Sequence, residues 1–133
     1  MPSKQEILDS LDAFTKGYLE CALWTADNED GDSLLNAGKT FADFSDESLQ
    51  KAKAICEKFE IDNEPSLCSY YDAGLSADYA GHDAWLDRNR HGSGAWDRGL
   101  GAIGDRLTAA AQALGEQDVV VGDDGELHLE GGL

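Results

Sequence analysis

Residues Gly81–Arg106 read GHDAWLDRNRHGSGAWDRGLGAIGDR. This stretch holds two of the three tryptophans, two of the three histidines and every arginine (Arg88, Arg90, Arg98, Arg106). Its four aspartates (Asp83, Asp87, Asp97, Asp105) balance the arginines, so its formal charge is zero with histidine neutral. The spacing predicts a helix with Tyr79, Ala80, Asp83, Leu86 and Arg90 on one face, broken at Gly92-Ser93-Gly94. His82 and Leu86 stack at i,i+4, as do Asp83 and Asp87, while Trp85 lies beside Arg88 and Asn89. Two aspartates one turn apart repel unless a cation lies between them. Arginine suits that place, because its planar guanidinium bonds carboxylates through two parallel N–H groups and stacks on indole faces. The expectation is a polar, tryptophan-rich interior joint, with Asp–Arg pairs holding a glycine-rich crossing of helices.

Upstream, Ser3 and Glu6 form a capping box. Ile7, Leu8, Leu11, Phe14, Tyr18, Cys21, Ala22 and Trp24 then predict one helical stripe from Lys4 to Thr25. Gly17 weakens that helix by up to about 1 kcal/mol relative to alanine without ending it. Residues 26–40 read as an acidic loop. It is not a calcium-binding EF-hand: with Gly31 as the turn glycine, the first and twelfth ligand positions fall on Ala26 and Ala37. Ser45 caps a second helix with Leu49, Ala52, Ile55, Cys56 and Phe59 inward. A short helix from Ser66 to Ala73 stops at Gly74, and Ser76 caps the next. Glycines 99, 101 and 104 leave loop and helix open until a helix resumes near Ile103, with Leu107, Ala110, Ala111 and Leu114 inward and Gly115 as its stop. Val119–Val121, a Gly-Asp-Asp-Gly turn and the alternation of Glu126–Glu130 predict a β-hairpin, which must pack on the helices to be stable. The fold class expected is mainly α with a small C-terminal β-hairpin, as a single domain over residues 1–133.

The net charge of −17 and a pI near 4.2 oppose binding to nucleic acid or anionic membrane, both polyanions, and favour a basic partner. Three cysteines (Cys21, Cys56, Cys68) without C-x-x-C spacing predict buried free thiols in a reducing compartment. The first twenty residues carry acids and no long apolar run, so neither a signal peptide nor a membrane span is expected.

Two sites compete for the function. One is an acidic outer surface on the first two helices and the loop between them: Asp9, Asp12, Glu20, Asp27, Glu29, Asp30, Asp32, Asp43, Asp46, Glu47 and Glu57. The other is the central segment used as a small-anion or nucleotide site. There His82 and His91 transfer protons, Asp83 and Asp87 orient them, Arg88, Arg90 and Arg98 hold a phosphate, and Gly92-Ser93-Gly94 cradle it. Trp85, Trp96, Asp97 and Arg106 complete that constellation. Ser93 sits in HGSGA, which lacks the first glycine of a nucleophile elbow. No His/Cys pair has zinc-ligand spacing, and arginines would compete with a magnesium ion at Asp83 and Asp87. No cofactor is expected.

The motif GHDAWLDRNRHGSGAWDRG, with Leu107, Thr108 and Ala111 of an LTxxA helix, Val121–Gly125 (VGDDG) and Leu19–Trp24 (LECALW), resembles a family of small acidic proteins encoded by phages and other mobile elements. Ala84 and Ala95 stand where those relatives carry phenylalanine, and Asp87 where they carry threonine. The resemblance implies a bacterial cytoplasmic setting and no established activity or site residues. In that setting the expected role is a non-enzymatic inhibitor of a host defence or DNA-processing protein (anti-CRISPR or anti-restriction in kind) acting as a DNA mimic. The alternative is the anion site.

Overall fold

The Ser3 hydroxyl accepts from the Glu6 amide at 3.2 Å, and the Glu6 carboxylate accepts from the Ser3 amide. Helix α1 therefore starts where the capping box places it, but it spans only Lys4–Asp9. Instead of one helix to Thr25, the chain breaks at residues 10–12. The Ser10 hydroxyl donates to the Ile7 carbonyl, and Asp12 turns extended, its carboxylate accepting from the Thr15 amide at 2.9 Å. Short polar side chains compete in this way with the helical ladder, and Asp12 becomes the N-cap of α2 (Ala13–Thr25). Trp24 does not join the inner stripe: it follows Lys16 and Glu20 at four-residue spacing along the outer face of α2 and is 51% exposed.

A computed structural model describes residues 2–132. After α2 come α3 (Asp46–Asp62), α4 (Glu64–Asp72), α5 (Ala77–Arg88), α6 (Ala102–Gln112), β1 (Asp118–Val121) and β2 (Leu127–Glu130), with 3-10 turns at Phe41–Asp43 and Ala95–Arg98. The fold is mainly helical with one antiparallel C-terminal hairpin, as the periodicity predicts. Ser45 caps α3 through the Ser48 amide. Helix α4 starts two residues before Ser66, with Pro65 in its first turn, where a missing N–H costs nothing. Ser76 occupies the N-cap of α5, but its hydroxyl makes no capping bond. Helix α6 begins at Ala102 after left-handed Gly99 and Gly101.

Helices α2 and α5 cross with their backbones touching. A Cβ on Gly17 would fall well inside contact distance of the Asp78 carbonyl, and one on Gly81 inside that of the Phe14 carbonyl. Around this crossing Phe14, Tyr18, Leu19, Tyr70, Trp85 and Leu107 form one core with Leu49, Cys56 and Phe59 of α3. The hairpin docks through β2. Leu127 and Leu129 are buried, the Leu127 carbonyl accepts from the Ser45 amide at 2.9 Å, and the Leu129 amide donates to Ser48 Oγ at 3.0 Å. Val119 pairs with Leu129 and Val121 with Leu127, and Val121, at the end of the outer strand, is exposed although its partner is buried. Cys21 and Cys56 are buried as expected, whereas Cys68 is exposed on α4. Among the described residues no helix is long and apolar enough to cross a membrane.

Helix propensity alone says that Gly17→Ala and Gly81→Ala each stabilise the chain by about 1 kcal/mol. The crossing decides the opposite sign. Each is expected to cost about 2–3 kcal/mol in urea unfolding, because the obstruction is backbone and cannot swing aside.

Candidate functional site

The four arginines of the central segment part company. Arg88, at the end of α5, is fully buried. Its Nε donates to the Gly115 carbonyl at 2.8 Å, Nη2 to the Leu114 carbonyl at 3.0 Å and Nη1 to the Tyr18 hydroxyl at 2.8 Å. The guanidinium thus sits on carbonyls just past the C-terminus of α6, the end of a helix that favours a cation. The Tyr18 hydroxyl donates in turn to Gln117 Oε1 at 2.7 Å, and the Gln117 backbone N–H donates to Asn89 Oδ1 at 2.8 Å. Burial pushes the Tyr18 phenol up, against the pull of Arg88. Trp85 closes the joint edge-on to Tyr18, its Nε1 donating to Thr25 Oγ1 at 2.8 Å.

Asp83 lies one turn earlier and takes the paired role expected of it. Arg98 grips it with two N–H groups, at 3.0 and 2.9 Å, and the Tyr70 hydroxyl donates at 2.7 Å. The same guanidinium lies over the Tyr79 ring at 5.4 Å from its centre. Asp87 is not held by arginine hydrogen bonds: it accepts from the Ala95 amide at 3.0 Å and from Thr108. Burial raises its pKa to about 6. Gly94 presses so closely on this carboxylate that any side chain there would collide with it. Between the two aspartates lies a cavity of about 10 Å³, lined also by Ala84 and Ala95, the positions where the resembling motif has phenylalanine. It has room for about one water molecule.

The anion constellation is therefore not gathered in one cleft. His82 faces Glu20 of α2 at 3.5 Å. His91 lines a separate groove of about 380 Å³ with Thr25, Trp85 and Gln117. Arg88 and Arg98 are committed to the interior joint, and Asp97, Arg90 and Arg106 face solvent. Trp96 is 46% exposed. What the structure assembles from the central segment is the expected polar joint, with Arg90 and Trp96 left outside it.

The eleven surface carboxylates divide as well. Asp43 is half-buried and caps the turn at Thr40, Asp46 lies 3.5 Å from Lys4, Asp9 accepts from Gln5 and Glu20 faces His82. Asp12 caps α2 and faces Glu60 of α3, one of whose oxygens is buried without a hydrogen-bond partner among the described residues. Burial acts to raise Asp12, but hydrogen bonds from Glu60 and Thr15 outweigh it and hold the group below the usual carboxylate range. Glu60 is pushed up to about 8 by burial, by its bond to Asp12 and by repulsion from Asp12 and Glu57. Sequence periodicity could not reveal this pair, because its partners are far apart in the chain. The carboxylates of Asp27, Glu29, Asp30, Asp32, Glu47 and Glu57 make no hydrogen bond or ion pair among the described residues.

The hairpin also brings His128, which has no zinc-ligand spacing to another His or Cys, beside two acids that the sequence places in the turn and second strand. Asp124, Glu126 and His128 each offer one donor atom within 4.8 Å of the others. His128 Nε2 lies 3.2 Å from both Asp124 oxygens, and Lys4 lies 3.8 Å from Glu126, so an ion pair and a hydrogen-bonded turn account for the cluster. No protein-family model matches the chain, and no curated protein or solved structure is significantly similar to it.

Two outcomes follow from this chemistry. Arg88→Lys should cost about 3 kcal/mol or more in urea unfolding, because an ammonium cannot serve a phenol and two carbonyls in one plane. The folded state keeps a proton on Glu60 that the unfolded chain loses near its ordinary pKa. Its contribution is therefore complete below that range and lost as pH rises through about 8. Asp87 acts in the same sense up to about 6. The melting temperature should thus fall from about pH 4.5 to about 8, and Glu60→Gln should flatten that fall, most clearly above about pH 6 where Asp87 no longer contributes. An unchanged slope in the variant would remove Glu60 as its cause.

Proposed function

We propose that this protein is a non-enzymatic inhibitor that works by being bound: an acidic helical scaffold occupying the basic nucleic-acid groove of a host defence or DNA-processing protein. The observation that carries the reading is the loop after α2. Asn28 accepts from the amides of Asp30 and Asp32 at 2.9 and 3.0 Å, and a bridge pairs Asp27 with Ser33. The loop is also hung on α2 through Leu35 N–H to the Leu23 carbonyl at 3.1 Å. Its four carboxylates (Asp27, Glu29, Asp30, Asp32) are exposed and make no hydrogen bond or ion pair among the described residues. Charges held on a fixed backbone lose little freedom on binding, which favours recognition by a cationic groove.

The distribution of charge supports the same reading. Only Asp83 and Asp87 are buried, and only Asp43, Glu60 and Glu126 are half-buried. All other carboxylates face water. Two of the four arginines are already committed, Arg88 in the core and Arg98 on the buried Asp83. The outer surface thus keeps nearly the whole net charge of −17. A polyanionic surface attracts basic proteins from a distance and repels nucleic acid. The motif resemblance adds the setting we propose, the cytoplasm of a bacterium carrying a phage or mobile element.

Immobilised protein should capture nucleic-acid-binding proteins from bacterial lysate, and duplex DNA should elute them. Replacing Asp27, Asp30 and Asp32 by Asn and Glu29 by Gln should lower affinity for the captured partner by about tenfold or more, with the fold intact by circular dichroism. Binding should also weaken steeply between about 0.05 and 0.5 M salt. Salt-indifferent binding, or a neutralised loop that binds as well as the original, would sink the proposal.

A further inference from the structure

We propose that the turn between α5 and the 3-10 segment, Arg90 to Trp96, is a binding site for the phosphate group of a small ligand. This goes beyond the acidic-surface reading and does not depend on it. Helix α5 ends in a Schellman closure, with the His91 amide donating to the Leu86 carbonyl at 3.0 Å and the Arg90 amide to the Asp87 carbonyl at 3.2 Å. The residue at the left-handed position of such a closure is usually glycine. Here it is Arg90, with φ of 55°, the one non-glycine residue at positive φ among those described. Glycine would sit there without strain. The chain instead carries a long cationic side chain at that point.

That side chain is exposed and makes no hydrogen bond or ion pair among the described residues. It borders a shallow depression of about 170 Å³ shared with Gly92, Ser93, Trp96 and Gln112. The amides of Gly92 and Ser93 have no acceptor within the described chain. The depression is thus rich in donors: a guanidinium, two backbone N–H groups, the Ser93 hydroxyl and the Gln112 amide. Successive amides beside an arginine suit the oxygens of a phosphate. Asp87 is the one carboxylate in the lining, and it is engaged by the Ala95 amide and Thr108.

The platform is rigid on its far side. The Trp96 amide donates to Thr108 Oγ1 at 3.1 Å, and Gly104 of α6 packs directly on the Ala95 carbonyl. The Trp96 indole stands nearly half exposed at the rim. A volume of this size takes the phosphate head, while a flat group attached to it can emerge over the indole, where aromatic stacking is available. The electrostatic setting agrees, because residues 81–106 form the charge-balanced part of an otherwise acidic chain.

The test is a titration with inorganic phosphate and, separately, with adenosine monophosphate, at constant ionic strength, followed by amide NMR. Either probe should shift the Gly92 and Ser93 amides saturably. Arg90→Gly, which suits the left-handed backbone, should melt at or above the wild-type temperature yet lose about tenfold or more in affinity. Tighter binding of the nucleotide, erased by Trp96→Ala, assigns a stacked base to the rim; equal affinities assign free phosphate. No saturable shift with either probe at millimolar concentration, or unchanged binding by Arg90→Gly, overturns the site.

Discussion

Helices α2 and α5 approach until backbone meets backbone, at Gly17 against Asp78 and at Gly81 against Phe14. So close an approach leaves no room for side chains at the crossing point, and it drives the neighbouring side chains together on either side. Tyr18 and Trp85 meet edge to face at 5.2 Å, and Arg88 is carried into the interior with them. A buried guanidinium is tolerated only if its donors are satisfied. The carbonyls of Leu114 and Gly115 and the Tyr18 hydroxyl supply that, which fixes where α6 must end relative to α5. The crossing, the arginine and the end of α6 are one structural unit.

This unit determines how charge is distributed. Inside are a guanidinium on carbonyls, an aspartate clamped by Arg98 and Tyr70, and a second aspartate on a backbone amide. These groups specify the geometry of the joint more than they add to stability, since burying charge costs nearly what pairing it returns. Outside, the carboxylates face solvent with few cations left to offset them. The acidity of the chain is therefore a property of its surface and not of its joint.

The carboxylates do not all do the same thing. Asp12 and Asp43 end up as caps, and Asp12 faces Glu60; those positions shape the backbone. The loop acids Asp27, Glu29, Asp30 and Asp32 shape nothing in the fold and remain available to a partner. Arg90 and Trp96 are their counterpart in the central segment, the basic and aromatic groups that the joint leaves unused.

Local rules suffice for much of this. The capping box at Ser3, the Ser45 cap, the left-handed stop at Gly74 and the hairpin turn depend on residues within four or five positions of one another, and so they are legible in the sequence. The Asp83–Arg pairing was also foreseeable, because two aspartates one helical turn apart require a cation. Other features came only with the tertiary structure. Gly17 and Gly81 read as weak points of helices until the crossing shows that a side chain has no space there. Asp12 and Glu60, or Arg88 and the carbonyls after α6, are far apart in the chain, and no periodicity connects them. Composition determines how much charge the protein carries. Which arginine is buried, which carboxylate is a cap and which groups stay exposed depends on where distant backbones come into contact, because burial and pairing belong to the packed chain.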